Sequence, residues 1–369
     1  MQVMFVDDEW RVLSGIERAL AMRDTDWESR FCTSGDEALA ALLEKPADVV
    51  VSDMRMPFMD GVEFLSRVRE HWPGALRIIL SGYSDPEATI RMLDAGQQFV
   101  TKPCNNATLL AIVENALGLR SLLDDEAMLE LIGRVSRLPT APKLFFELNR
   151  LLADPSSSIP TIIAMIIRDP ALSAKVLQLG NSVYFANGQP ICDVADAVRH
   201  LGVDQVRLFV LASLVCAGAA ESPRIDTLQT RARLAARIAS LIAMQVGEQP
   251  GPAATAALLA RLGLLIPGLD NPEAECATTC GDRFRYATVG AHLMALWGLP
   301  RDIIHVVACH TDPGRIAGSA FGLTGVVHVA VALANDQEPD LGYLQRVGMI
   351  ERLPSWQVAT LSLKVGDDE

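Results

Sequence analysis

The sequence is short of basic side chains, cysteines and long apolar runs. Its 32 Lys and Arg face 45 Asp and Glu, a formal charge of −13. This excess argues against a protein that coats duplex DNA, because neutralising phosphates requires clustered cations. No apolar run approaches the roughly 20 residues of a membrane-spanning helix, and the best candidate, Ala253–Leu265, is interrupted by Arg261. Seven scattered cysteines, and a start without the basic and apolar segments of a secretory signal, favour reduced thiols in the cytoplasm.

Half of the 369 residues are apolar, which is enough to pack roughly two or three domains. Over the first 120 residues, short apolar runs alternate with segments of helical periodicity. Apolar strands separated by helices predict a doubly wound α/β domain, whose five-stranded parallel sheet is covered on both faces. The predicted strands are Val3–Val6, Arg30–Cys32, Val49–Ser52, Ile78–Leu80 and Gln98–Thr101, and the predicted helices are 12–20, 36–43, 62–71, 86–95 and 108–117.

Beyond Gly118 the strand pattern stops. An apolar helical pattern continues from Leu119 to Leu138 without a flexible linker. Its acidic patch, Asp124–Glu126, fits either the cap of a new helix or the exposed face of a continuous one. From Pro139 onward only helical periods occur, so the second domain is predicted to be all-α. Its predicted helices are 143–153, 159–167, 170–179, 192–200, 203–217, 228–246, 252–265, 285–297 and 300–310.

Polar side chains follow four of the predicted strands, at the edge where doubly wound sheets place their chemistry. In chain order they are Asp7, Asp8, Glu9, Asp53, Ser81 and Lys102. Clustered carboxylates share protons or hold a cation, and ligands that are all oxygen suit Mg²⁺. A lysine and a serine hydroxyl can bind phosphoryl oxygens, and a carboxylate can accept a phosphoryl group. The edge therefore predicts a site that takes and holds a phosphoryl group; the alternative is a set of isolated helix caps with a surface lysine.

Four stretches at these strand ends resemble the receiver domains of two-component response regulators. They are Phe5-Val6-Asp7-Asp8-Glu9, Ser52-Asp53-Met54-Arg55-Met56-Pro57-Phe58-Met59-Asp60-Gly61, Leu80-Ser81-Gly82-Tyr83 and Val100-Thr101-Lys102-Pro103. The resemblance implies a flavodoxin-like receiver domain over residues 1–120, with Mg²⁺ as its cofactor and a histidine kinase as its partner.

The same resemblance implies a role for each residue of the site. Asp53 is the phosphoacceptor, and Mg²⁺ is held by Asp7, Asp8, Asp53 and the backbone carbonyl of Arg55. Lys102 and Ser81 bind the phosphoryl oxygens, and Pro103 follows a cis peptide bond. Phe99 stands where these domains carry a switch aromatic, although an aromatic on the fifth strand is equally well explained as core filling.

The helical half contains five characteristic stretches: Leu138–Pro142, Ile167–Leu177, Gly180–Ser182, Ala197–Gly202 and Leu296–Pro300. They resemble the HDOD family, relatives of the HD-GYP phosphodiesterases that are generally taken to signal without hydrolysing. The resemblance implies a helical connector at 121–138 and an all-α HDOD output domain at 128–335. Residues 336–369 are then a C-terminal helical extension with a frayed tail.

The second half has few residues that can hold catalytic metals. None of the six histidines is followed by Asp, the pair that a binuclear phosphohydrolase requires. Where a catalytic relative would carry His-Asp this chain has Ala260-Arg261, and Tyr286 and Cys309-His310 stand at two further ligand positions. The fixed cation of Arg261 opposes a divalent ion electrostatically. We therefore predict no cofactor in the HDOD domain and no enzyme activity.

These features predict a response regulator. A histidine kinase or phosphotransfer protein phosphorylates Asp53, and the output domain then acts on an unknown downstream protein, with cyclic-dinucleotide signalling as a candidate pathway. No direct DNA binding and no membrane contact are expected, and a homodimer is left open. One alternative output is a metal-dependent phosphodiesterase. The other is a sensor that binds a cyclic dinucleotide, with candidate phosphate contacts Arg168, Lys175, Arg199, Arg207 and Arg261.

Overall fold

The computed structural model divides the chain into two compact units. The first is built on residues 1–137 and the second on residues from 138 onward. The structure describes residues 1–23, 25–81, 96–102, 104–121, 126–135, 138–139, 142–154, 157–182, 189–206, 210, 223–266, 286–315 and 320–365.

The first unit is a five-stranded parallel sheet flanked by helices. Its strands are β1 (Gln2–Val6), β2 (Glu28–Cys32), β3 (Val49–Asp53), β4 (Leu76–Ser81) and β5 (Gln98–Thr101). Its helices are α1 (Trp10–Ala21), α2 (Gly35–Glu44), α3 (Gly61–His71), α4 (Asn106–Ser121) and α5 (Glu126–Arg134). The strand order β2-β1-β3-β4-β5 is that of a doubly wound, flavodoxin-like sheet, which confirms the predicted fold class.

Burial explains why the apolar runs form these strands. Every residue of β1, β3 and β4 is buried, because helices cover both faces of a doubly wound sheet. The edge strand β2 is exposed at Glu28 and Ser29, which agrees with its mixed sequence. Two helices begin at side-chain caps: Glu37 N donates to Ser34 Oγ (3.2 Å) and Glu63 N to Asp60 Oδ1 (2.8 Å). The helix predicted at 86–95 lies outside the described residues.

The predicted connector at 121–138 begins at the last residue of α4 and contains α5, while residues 122–125, including Asp124 and Asp125, lie outside the described residues. Arg77 of β4 links the sheet to α5. Its guanidinium is buried (1% exposed) and donates to Ala75 O (3.0 Å) and to Gly133 O near the end of α5 (2.8 Å). Burial lowers the pKa of Arg77 to about 9, so the main-chain carbonyls must stabilise a desolvated charge. Helix α5 therefore belongs to the first unit's core.

At Gly133, the backbone of α5 lies directly against the loop before β4. A Cβ at this position would lie 1.8 Å from Pro73 O. We expect Gly133→Ala to destabilise the first unit by about 2 kcal/mol, because the rigid carbonyl cannot yield and the helix must move outward. Gly118→Ala in α4 is the control, since no atom lies within 4 Å of its Cβ position. Urea denaturation followed by hydrogen exchange of the sheet amides measures both; equal midpoints would contradict the close approach.

The second unit is helical throughout its described part. Its helices are α6 (Pro142–Ala153), α7 (Ile159–Ile166), α8 (Pro170–Asn181), α9 (Val194–Leu201), α10 (Pro223–Val246), α11 (Pro250–Leu259), α12 (Tyr286–Leu296), α13 (Arg301–Cys309), α14 (Leu323–Ala334), α15 (Leu341–Arg346) and α16 (Leu353–Val365). Short 3₁₀ turns occupy Leu262–Leu265, Pro313–Arg315 and Ile350–Arg352. The predicted all-α class of this half is confirmed.

Helix α14 was not among the predicted elements. All of its residues from Thr324 to Ala334 are buried, and apolar residues occur on every side of the helix, so its sequence carries no amphipathic period. Helix α10 begins five residues earlier than predicted, at Pro223. Part of the helix predicted at 203–217 lies outside the described residues, Arg207 with it.

The Asp-Pro and Asn-Ser motifs of the HDOD resemblance have structural partners. Asp169 caps α8 by accepting from Leu172 N (3.0 Å), and Gln229 Nε2 donates to its other oxygen (2.8 Å). Asn181, at the end of α8, accepts from Ile191 N (2.8 Å) and donates to Ile191 O (2.9 Å). The buried Asp169 and the half-buried Asn181 thus fix the two ends of α8 to neighbouring segments.

Candidate functional site

The predicted polar residues meet at the carboxyl edge of the first unit's sheet. Asp7 follows β1, Asp53 ends β3, Ser81 ends β4 and Lys102 follows β5. Asp7 and Asp53 are 1% and 7% exposed, so both carboxyl groups are recessed below the surface. The parallel register brings these strand ends together, because β1 pairs with β3, β3 with β4 and β4 with β5.

Lys102 lies between the two recessed carboxyl groups. Its Nζ is 2.6 Å from Asp7 Oδ2 and also contacts Asp53 Oδ1. Burial raises the pKa of Asp53, and the ammonium of Lys102 opposes that rise. Burial alone would lower the pKa of Lys102, but its hydrogen bonds to Asp53 and Asp7 outweigh burial and raise it. The lysine therefore stays protonated and supplies the cation that two adjacent carboxylates need.

Backbone amides fix the orientation of both carboxyl groups. Glu9 N donates to Asp7 Oδ1 (2.9 Å), and Arg55 N donates to Asp53 Oδ2 (2.9 Å). The loop after β3 is held in turn by Gly61 N, which donates to Met54 O (2.9 Å). One oxygen of Asp53 therefore accepts from a backbone amide, and the other contacts Lys102. These two contacts hold the carboxyl group in a defined orientation.

The donor set at this edge fits Mg²⁺ in chemistry. Asp7, Asp53 and the backbone carbonyl of Arg55 offer oxygen ligands only, and Mg²⁺ commonly takes one or two carboxylates with waters. The third predicted carboxylate, Asp8, is exposed. Within the described part of the chain, no group of three or more His, Cys, Asp and Glu side chains is close enough to hold a metal ion. Asp7 and Asp53 are recessed and both contact Lys102, whereas Asp8 is exposed, and its role as a ligand stays a prediction.

Ser81 and Phe99 occupy the neighbouring strands β4 and β5. Ser81 is 5% exposed and its hydroxyl contacts Met54 Sδ at 3.4 Å. Lys102 N donates to Ser81 O (2.7 Å), which ties the ends of the two strands to each other. The Phe99 ring is buried, so its position fits both the switch aromatic and core filling. Gly82, Tyr83 and Pro103 lie outside the described residues.

In the second unit, the three positions compared with catalytic relatives are brought into contact. Arg261 Cζ lies 5.7 Å from the ring centroid of Tyr286, within range of a cation–π interaction. The hydroxyl of Tyr286 is 3.3 Å from His310 Nε2. Arg261 also donates to Asn335 Oδ1, at the end of α14. A guanidinium, a phenol, an imidazole and an amide therefore form one cluster in this part of the second unit.

The histidines of this network are neutral. His310 Nδ1 lies 2.7 Å from Val307 O and must donate to it, which leaves Nε2 as the acceptor for Tyr286. His328 Nδ1 likewise donates to His310 O (2.7 Å), and its Nε2 accepts from Asp340 N (2.8 Å). Burial lowers the pKa of His310 to about 4 and also lowers the pKa of His328. Sequence reasoning missed Asn335 and His328, because only the fold brings them to Arg261 and His310.

Acid should destabilise the second unit through His310. Below about pH 6.5 the unfolded chain binds a proton at this residue, whereas the folded chain binds it only near pH 4. We expect a loss on the order of 3 kcal/mol across that window, and His310→Gln should flatten the dependence. His305→Gln, an exposed position on the same helix, is the control. Urea midpoints of the second unit from pH 4 to 7 measure the slope; an unchanged slope in His310→Gln would refute this assignment.

Comparison with known proteins finds one matching domain model in each of the two predicted domains. The model of the response regulator receiver domain matches residues 3–114, and that of the HDOD domain matches residues 138–280. The hydrogenase transcriptional regulatory protein HoxA of Cupriavidus necator is 33% identical over 219 residues, which are 56% of this chain and 44% of HoxA. The DNA-binding transcriptional regulator NtrC of Salmonella typhimurium is 35% identical over 119 residues, 31% of this chain and 24% of NtrC.

A solved structure, the MmoQ response regulator of Methylococcus capsulatus, is 24% identical with a TM-score of 0.48, covering 60% of this chain and 98% of that one. The chain spans less than half the length of HoxA and NtrC. Among the described helices none is long and apolar enough to cross a membrane. The two matches, in the order that the sequence predicts, show that this chain contains a response regulator receiver domain followed by an HDOD domain.

Proposed function

We propose that Asp53 accepts a phosphoryl group from the histidine of a kinase or phosphotransfer protein, and that this event switches the HDOD domain. The observation that carries the proposal is the position of Lys102, whose ammonium contacts both Asp7 and Asp53. The same cation is in place to neutralise a phosphoryl oxygen on Asp53. The receiver domain itself implies a phosphohistidine partner.

The transfer needs few groups from this chain. An oxygen of the ionised Asp53 carboxylate bonds to phosphorus, and the bond between phosphorus and the donor imidazole nitrogen breaks. The nitrogen keeps the electron pair and takes a proton from water. Arg55 N holds the other Asp53 oxygen during attack, and the Ser81 hydroxyl is the proposed donor to a phosphoryl oxygen. In this scheme the Ser81–Met54 contact is exchanged for one to phosphate.

Mg²⁺ would be held by Asp7, Asp53 and the backbone carbonyl of Arg55, with Asp8 as the further predicted ligand. When bound, the ion neutralises charge that develops on the phosphoryl oxygens. Asp7 suits this role because Glu9 N fixes one of its oxygens and leaves the other on the side of Asp53 and Lys102.

For the second unit we infer an output through protein contacts. Arg261 contacts Tyr286, and Tyr286 contacts His310, and these are the positions that the sequence comparison equates with metal ligands of a phosphohydrolase. The alternative is that this unit binds a cyclic dinucleotide, with Arg168 as a phosphate contact. The polar cavity lined by Arg168, Glu147 and Arg233 does not support this alternative. That cavity measures about 200 Å³, below the roughly 300 Å³ at which pockets for drug-sized ligands begin. We propose residues 336–369 as a helical extension. The sequence predicts a connector at 121–138, and we propose that its helix α5 is packed on the receiver domain while it leads toward the HDOD domain.

Acetyl phosphate with Mg²⁺ tests the acceptor directly. We expect the full chain to gain one phosphoryl group, and borohydride to convert the acyl phosphate at position 53 into homoserine, located by peptide mass spectrometry. Asp53→Asn is the control and should yield no homoserine. Homoserine at another position, or equal labelling of Asp53→Asn, would show that Asp53 is not the acceptor.

A further inference from the structure

The polar cavity of the second unit, about 200 Å³ in volume, is lined by three structural elements. These are α6, α10 and the turn between α7 and α8 that carries Arg168. Helix α10 lines the cavity with residues at i, i+3, i+4 and i+7 spacing, which share one face of the helix. They are Asp226, Gln229, Thr230 and Arg233. A cavity of this volume suits a ligand smaller than a drug-sized molecule.

The charges around this cavity balance. The described lining residues include two guanidinium groups and two carboxylates, so their formal charges sum to zero. They are Arg168, Arg233, Glu147 and Asp226. A ligand with a net charge would disturb this balance in a site that is partly shielded from water. An uncharged ligand would displace water from the charged groups without replacing its hydrogen bonds. The charge pattern therefore favours a zwitterion.

Arg168 and Glu147 form a long ion pair at this site. Arg168 Nη1 lies 3.4 Å from Glu147 Oε2, whereas strong charge-assisted hydrogen bonds measure roughly 2.7–2.9 Å. The two side chains remain 42% and 33% exposed, so a ligand can reach both. A ligand carboxylate can take the place of Glu147 at the guanidinium, and a ligand ammonium can take the place of Arg168 at the carboxylate. A zwitterion thus exchanges one long ion pair for two direct ones.

Gln229 offers a hydrogen-bond acceptor at the buried side of the cavity. The residue is 7% exposed, and its Nε2 donates to Asp169 Oδ2 (2.8 Å), which fixes the orientation of the amide. Among the described residues no donor contacts Gln229 Oε1, so this oxygen can accept from a ligand ammonium. Leu144 is the one apolar residue among the described lining residues, which favours a polar side chain on the ligand.

We propose that this cavity binds a free α-amino acid with an uncharged polar side chain. Arg168 and Arg233 bind its carboxylate. Glu147 and Gln229 Oε1 accept hydrogen bonds from its ammonium group, and the exposed Asp226 completes the charge balance. The amino acid gives the second unit an input that is separate from phosphorylation of the first. The inference goes beyond the proposed function and does not rest on it.

Isothermal titration calorimetry of the full chain with L-serine, L-threonine, L-asparagine and L-glutamine tests the site. We expect saturable binding of at least one of these amino acids, with one molecule per chain. At about 100 times its Kd, that amino acid should raise the thermal unfolding midpoint of the second unit by about 5 °C. Its 2-hydroxy acid lacks the ammonium and its α-carboxamide lacks the carboxylate, so each should bind about tenfold more weakly.

Three variants separate the cavity from other sites of binding. Arg168→Gln should weaken the amino acid about tenfold, because its carboxylate loses a cation. Glu147→Gln should weaken it by a similar factor and should bind the 2-hydroxy acid more tightly than wild type does, because the cavity then carries a net positive charge. Arg199→Gln breaks an exposed ion pair with Asp196 on α9 and is the matched control, with affinity within twofold of wild type. Unfolding midpoints without ligand verify that each variant folds.

The proposal would be overturned if none of the four amino acids binds the wild-type chain at concentrations up to the millimolar range. Equal affinity of the wild-type chain for the amino acid and its 2-hydroxy acid would mean that the cavity holds an anion and not a zwitterion. Unchanged affinity in both Arg168→Gln and Glu147→Gln would place the amino acid at another site. The comparison of the two analogues on the wild-type chain decides the question even where a variant does not fold.

Discussion

Replacing Lys102 by methionine is expected to slow the phosphorylation of Asp53 by acetyl phosphate about 100-fold. The ammonium of Lys102 contacts both Asp7 and Asp53, and both carboxyl groups are recessed from water. Without this cation, the negative charge on the phosphoryl oxygens has no ammonium to neutralise it during transfer. The loss is large because solvent screens charges weakly at this recessed position. Radiolabel incorporation at fixed Mg²⁺ and saturating acetyl phosphate measures the rate.

The pH dependence of the same reaction distinguishes lost chemistry from lost structure. Burial already raises the pKa of Asp53, and Lys102 restrains that rise. In Lys102→Met the pKa of Asp53 should rise further, so the pH of half-maximal labelling should move upward. Lys102→Arg keeps the charge and should retain more activity than Lys102→Met, although its planar group cannot reproduce the contacts of a compact ammonium. A rate for Lys102→Met within threefold of wild type would rule out a role for this cation in the transfer.

Gly61→Ala is expected to destabilise the first unit by about 3 kcal/mol and to abolish most labelling of Asp53. A Cβ on Gly61 would lie 2.0 Å from Asp53 O and 2.9 Å from Asp53 C. Both are backbone atoms of β3, the strand that ends in the proposed acceptor Asp53, so the clash cannot be relieved by a side chain that moves aside. Helix α3 would have to shift, and the bond from Gly61 N to Met54 O would be lost with it.

Gly35→Ala provides a matched comparison, because Gly35 begins α2 as Gly61 begins α3. Its Cβ would lie 2.7 Å from Met59 Sδ, an atom near the end of a flexible side chain. We expect this variant to cost about 1 kcal/mol or less and to keep its labelling rate. Urea denaturation with hydrogen exchange of the sheet amides ranks the two variants. Equal stability of Gly61→Ala and Gly35→Ala would contradict the difference between backbone and side-chain contact.

The fold of the first unit could be predicted because its sequence pattern and its burial agree. Strand β3 begins with three consecutive valines, Val49–Val51, because both of its faces are covered. The edge position of Asp7, Asp53, Ser81 and Lys102 could also be predicted, because parallel strands end on one side. The contacts of Lys102 with both Asp7 and Asp53 depend on side-chain geometry, which the spacing of residues along the chain leaves undetermined.

Three other features of the structure could not be predicted from the sequence pattern. Phe58 is a bulky residue at a positive φ, a conformation normally expected of Gly or Asn. The residue type at position 58 therefore does not predict this backbone conformation. Helix α14 is buried on all sides and lacks the period that identifies a surface helix. Arg77 interrupts an apolar strand, and its carbonyl acceptor Gly133 lies 56 residues further along the chain. In each case tertiary packing decides the local structure.

The bond between Arg77 and Gly133 has a consequence for the smallest part of the chain that folds alone. The match to the receiver domain ends at residue 114, and α4 ends at Ser121. A fragment truncated there would leave a desolvated guanidinium with one carbonyl fewer and would uncover the apolar surface beneath Ile132, which is fully buried. A receiver fragment that folds alone should therefore extend to residue 135. Helix α5, although it lies beyond the matched residues, is then part of the fragment's core.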